Sequence, residues 1–149
     1  MSRSRWIAAT IAVTAAVCVH AQQLKPEDQV KQRRAGYAVM GHNFASLTAM
    51  AQEKKPYNRD EAIRNAELVA ALCDYMKAFF GEGTDHGGDT KAKPEVWQKR
   101  ADFDDKMDKM IVEARKLPAA ARADLPALKK AVADAGKACK ACHDDYRAK

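Results

Sequence analysis

Runs of β-branched residues are scarce in this chain of 149 residues, and with them the raw material of a sheet is missing. Proline occurs only five times. Four of these, at positions 26, 56, 94 and 118, stand where a helical pattern starts or stops. There is no internal repeat and no low-complexity tract, which excludes a solenoid or an array. Charges of both signs alternate along the chain, as on a solvated helical surface. That pattern excludes a basic nucleic-acid patch. Beyond the first 21 residues no apolar run is long enough to span a bilayer, so no membrane partner is expected. No nucleophile–base set stands out, and the chain is not expected to be an enzyme.

The first 21 residues read as an export signal. Arg3 and Arg5 give a basic start, Trp6 to Val19 is apolar or small apart from two threonines, and Val19-His20-Ala21 suits a cleavage site before Gln22. The apolar run is too short for a membrane anchor. Removing it leaves 128 residues and takes the net charge from +6 to +4. It also removes Cys18 and leaves three cysteines, at 73, 139 and 142. An odd number in an exported chain of this size argues against a disulfide framework.

What remains is dominated by Ala, Lys, Glu, Asp, Leu and Met in four helical patterns. The first opens at Pro26-Glu27-Asp28 and carries the stripe Val30, Arg33, Tyr37, Met40, Phe44, Leu47, Ala51. Asn58 can cap the second, with Glu61 three residues on, and its stripe runs from Ala62 to Phe80. Gly81-Glu82-Gly83 stops it, and a polar loop leads to Pro94. The third runs from Pro94 to Leu117 and is expected to stop at Pro118. The fourth has Asp124 as a possible cap and the stripe Leu125, Leu128, Val132, Ala135, Cys139, Cys142, Tyr146. Four such helices with short connections predict an all-α, antiparallel four-helix bundle.

The last helix holds the chemistry. Cys139, Cys142 and His143 form a C-x-x-C-H string, with both thiols on the apolar stripe and the imidazole four residues beyond the first. Such a turn suits covalent haem attachment: the thiols add to vinyl groups and the imidazole reaches the iron. Zinc would need a second ligand pair, and Cys73, His42 and His86 do not supply one at ligand spacing. A thiol-redox motif of the thioredoxin kind would need a βαβ setting. Haem is the favoured reading, with zinc and thiol redox as alternatives.

On the first helix, Arg33 interrupts an apolar stripe. A guanidinium facing the core must be paired, and haem propionates are suited partners. The alternative is that Arg33 reaches out to solvent. One and two turns later, Tyr37 and Met40 are the residues placed to face the iron. His42 and His86 read as exposed, and Cys73 as a small buried hydrophobe. Trp97 reads as a core or interface ring.

The mature chain resembles cytochrome c′, the class II c-type cytochromes, over nearly all of residues 22–149. The likeness is carried by "KPEDQVKQRRAGYAVMGHNF" (25–44), "FGEGTDHGGDTKAKPEVW" (80–97) and "CKACHDDYR" (139–147). The resemblance implies a periplasmic, left-handed antiparallel bundle, a homodimer, with one covalent haem c per chain. It implies thioethers at Cys139 and Cys142, His143 as axial ligand, Arg33 near a propionate and Arg147 by the proximal face. It further implies a five-coordinate, high-spin iron that binds NO and CO, with Tyr37 over the distal side. Low-spin relatives use a first-helix methionine as sixth ligand. Met40 is the candidate here, although it matches a methionine that packs beside the haem. A role in electron transfer or NO buffering follows, with the redox partner unnamed.

Overall fold

The computed structural model describes residues 24–87 and 89–149. The expected export signal and its cleavage site lie outside them. Helix α1 (Pro26–Ala51) opens with its proline in the first turn, where no intrahelical N–H is required, and with Glu27 and Asp28 beside the positive end of the helix dipole. Helix α2 (Arg59–Met76) is capped as the sequence suggests: Asn58 Oδ1 accepts from the Glu61 N–H at 2.9 Å. It tightens into a 3₁₀ turn at 77–79, four residues earlier than the stripe to Phe80 implied, while Phe80 itself stays buried.

The expected third helix is broken twice. A short α3 (Glu95–Gln98) is separated from α4 (Arg100–Ala114) by Lys99, whose backbone leaves the helical region at φ −117°, ψ 47°. Pro118 does not end a helix. It sits in the first turn of α5 (Leu117–Ala123), where proline is well tolerated. The segment expected as a loop before the fourth helix is thus itself helical. Helix α6 (Leu125–Tyr146) follows at once, with Asp124 Oδ1 accepting from the Ala127 N–H at 2.8 Å.

Helices α1, α2, α4 and α6 form the four-helix bundle: α1 packs on α2 and α6, and α4 packs on the same two from the other side. The stripes meet inside, with Leu47, Met50, Phe103, Met107 and Leu128 almost wholly removed from water. Helix α5 closes one end against α2 and α6. No described helix is long and apolar enough to cross a membrane.

The α1 stripe is unevenly covered. Val30 and Leu47 toward its two ends are buried, while Tyr37, Met40 and Phe44 in the middle are only half-buried. A cavity opens between them and α6. The segment 81–93 crosses one end of it. Its last residues pair with the end of α6: the Lys93 N–H donates to Tyr146 O at 3.0 Å, and the Ala148 N–H to Lys91 O at 2.8 Å. Gly83 needs to be glycine. Its φ is +74°, and a Cβ there would sit 3.2 Å from Pro26 Cγ.

Candidate cofactor site

The spacing of Cys139, Cys142 and His143 over one turn of α6 puts all three on the wall of that cavity, whose volume is about 470 Å³. This is in the range of small-molecule and cofactor sites, roughly 300–1,000 Å³. Tyr37, Met40 and Phe44 of α1 face them, and Phe103, Met107 and Met110 of α4, Cys73 of α2 and Phe80, just past the 3₁₀ turn, complete an apolar lining. Arg33 and Arg147 also border the space. Every residue singled out for the site from sequence therefore lines one cavity.

Both α6 thiols are free of disulfides. Burial pushes the Cys142 thiol up to about 11, against the pull of Lys106, and burial raises Cys139 too. Burial lowers the His143 pKa, and the nearby positive charge of Arg147 lowers it further. A neutral imidazole, the form that ligates a metal, is thereby favoured.

On the facing wall, burial keeps the Tyr37 phenol protonated far above its usual pKa. Its hydroxyl has one weak partner, the Met107 thioether at 3.9 Å. Met40 Sδ accepts from the Cys73 thiol at 3.3 Å. Cys73 is buried, as expected, and also lines the cavity.

Arg33 is 3% exposed, which overturns the solvent-facing alternative. Its Nη1 donates to Phe79 O at 2.9 Å and Thr84 Oγ1 at 3.3 Å, and its Nη2 donates to Thr84 O at 3.0 Å and Thr90 Oγ1 at 2.7 Å. The guanidinium also lies 4.6 Å from the Phe80 ring centroid and 5.7 Å from that of Trp97. These partners come from 46 to 57 residues away, and no sequence pattern announced them. Tyr146 belongs to the apolar stripe of α6. Its hydroxyl also donates to Asp102 Oδ2 at 2.5 Å.

Two other expectations hold. His42 is exposed, and His86 is exposed beside Asp85. Trp97 is half-buried against Phe80. Among the described residues no group of three or more His, Cys, Asp or Glu side chains could hold a metal ion, so zinc finds no ligand set there.

The sequence matches the model of the family described as "Cytochrome C'" over residues 28–147. The chain belongs to the cytochrome c′ family. Among solved structures it is similar to cytochrome c′ from Rubrivivax gelatinosus, with 38% identity and a TM-score of 0.81 over 85% of this chain and 99% of that one. It is also similar to a variant of cytochrome c prime from Alcaligenes xylosoxidans solved as a nitric oxide complex, with 40% identity and a TM-score of 0.76 over 84% and 98%. A third is a cytochrome c′ with an unusual ligand-controlled dimer dissociation, at 36% identity and a TM-score of 0.78 over 85% and 99%. Cytochromes c′ carry covalently attached haem c, and the residues here fit that group. Two unpaired thiols and an imidazole stand on one wall of an apolar cavity, with cationic groups at its border.

Proposed function

We propose that this cytochrome c′ is a periplasmic haem c protein with a five-coordinate, high-spin iron that binds NO and CO. The observation that carries the reading is the imbalance between the two walls of the cavity. On α6, Cys139 and Cys142 are free to hold the haem through thioethers, and His143 is neutral and available as the axial ligand. On α1, Tyr37 offers a ring and a neutral hydroxyl, and neither is a good ligand for iron in that state. Met40, the alternative sixth ligand, accepts a weak hydrogen bond from the Cys73 thiol. Bound haem supplies an iron that changes valence and takes a small neutral ligand. The protein's part is to hold it on one side and to restrict the other with the Tyr37 ring. Arg33 and Arg147 offer positive charge to the propionates.

The nitric oxide complex of the Alcaligenes xylosoxidans relative supports NO as a ligand, and the relative with ligand-controlled dimer dissociation supports a homodimer. The sequence of residues 1–21 supports export. Electron transfer or NO buffering fits such a centre, and no feature selects the redox partner.

Visible spectroscopy of the purified ferric protein tests the reading. A high-spin charge-transfer band, with CO binding after reduction, is the expected result. A low-spin spectrum with a Met–iron band would overturn it in favour of a six-coordinate electron carrier using Met40.

A further inference from the structure

Two tyrosines line the haem cavity, and they differ in where their hydroxyls point. Tyr37 has a thioether, Met107 Sδ at 3.9 Å, which is no base. Tyr146 is 4% exposed, packs edge-on to Phe103 at 5.3 Å between centroids, and donates to the Asp102 carboxylate. Asp102 is more than half exposed, so a proton that reaches it has a way to water. Lys106 stands by the same pair, 3.8 Å from Asp102 Oδ2 and 5.8 Å from the Tyr146 ring centroid.

This difference decides which ring can be oxidised. Taking an electron alone from a buried phenol would leave an unpaired positive charge in an apolar cavity, which is expensive. If the proton leaves with the electron, the ring stays neutral. Only Tyr146, of the two, has an acceptor for that proton.

We propose that Tyr146, with Asp102 as its proton acceptor, is a one-electron donor at the haem cavity when the protein meets hydrogen peroxide. Tyr146 gives up one electron and becomes a neutral tyrosyl radical as its O–H bond breaks. The proton goes to Asp102 Oδ2. Peroxide takes two electrons, one from Tyr146 and one from the haem, and two protons from solvent, and becomes two waters. The inference rests on the open-iron reading above, because peroxide must reach the iron.

The test is freeze-quench EPR of the ferric holoprotein mixed with hydrogen peroxide, with visible spectra and CO binding recorded on the same samples. The parent is expected to give a tyrosyl signal. Y146F should lose it, and Y75F, at an exposed ring on α2, should keep it. D102N retains a hydrogen-bond acceptor but no base. It should slow the appearance of the signal about 100-fold, the low end of what a positioned proton acceptor contributes. A parent that binds CO but gives no tyrosyl signal overturns the proposal. So does a signal that survives Y146F, or one that appears in D102N as fast as in the parent. A parent that fails to bind CO would instead sink the open-iron reading.

Discussion

Arg33→Leu is the substitution whose cost can be worked out most directly. The change removes four N–H···O contacts, but the four acceptors do not suffer equally. Thr84 Oγ1 still donates to Gly81 O at 2.7 Å, and Thr90 Oγ1 still accepts from the Ala92 N–H at 3.2 Å. Phe79 O and Thr84 O lose their guanidinium donors. A buried polar group left without a partner costs about 1–3 kcal/mol, so these two carbonyls together cost about 2–6 kcal/mol. Losing the cation over Phe80 and Trp97 adds about 1–2 kcal/mol. Against this, the leucine variant no longer has a charge to desolvate, which returns a few kcal/mol. The net expectation is a loss of about 3 kcal/mol. With a urea dependence of roughly 2 kcal/mol per molar, the midpoint of unfolding of the holoprotein, followed by far-UV circular dichroism, should fall by about 1.5 M. Amide exchange should rise most in 79–92, the segment that the guanidinium holds. Removing a cation from the cavity border should also favour the ferric form and lower the reduction potential. A midpoint within about 0.3 M of the parent's, with exchange in 79–92 unchanged, would refute the anchoring role.

Tyr37→Ala should open the α1 side of the cavity and raise CO affinity, measured by titration of the ferrous protein; an unchanged affinity removes the ring from its role as a gate. Among the described residues Cys73 is the one thiol left once Cys139 and Cys142 carry haem, and burial pushes it up to about 12. Iodoacetamide at pH 8 should therefore leave it unmodified by mass until denaturant is added, and prompt labelling of the native protein would contradict its burial. Hydrogen bonds from Lys106 and Lys55 hold Asp145 and Glu61 below their usual values. A depressed carboxylate contributes stability that is fully present above its unfolded pKa, near 4, and is lost as pH falls through the folded value. The urea midpoint should hold between pH 7 and 5 and decline below about pH 4, less steeply in D145N/E61Q; an identical acid decline in that variant would show that these pairs contribute nothing.

How much of this was legible beforehand follows from the range of each interaction. The bundle was readable because each stripe repeats within its own helix, and the caps at Asn58 and Asp124 act over three residues. The C-x-x-C-H string was readable because its two thiols and its imidazole fall within about one helical turn. The break at Lys99 and the helix begun by Pro118 were missed for a local reason. A proline signal is ambiguous between stopping one helix and starting the next, and only the packing of α5 on α2 and α6 resolves it. On the α1 stripe, Tyr37 and Met40 were read as the residues placed to face an iron; in the structure they line the cavity and, with Phe44, are half-buried.

The contacts that escaped the sequence share one location. Arg33 reaches Phe79, Thr84 and Thr90, and the same segment ends in backbone pairs with Tyr146 and Ala148, just past the C-x-x-C-H turn. Thr90 joins the two halves through one oxygen, which accepts from Arg33 Nη2 and from the Ala92 N–H. The stretch that looked like a polar loop is thus a strap tied at one end to α1, which carries Tyr37, and at the other to α6, which carries the C-x-x-C-H turn. A strap with two such ends makes the spacing of the cavity walls a property of residues 79–93, and not of the bundle helices alone. Thr90→Val, which alters neither His143 nor Tyr37, should therefore still change CO affinity. Affinity identical to the parent's would mean that the walls keep their spacing without the strap.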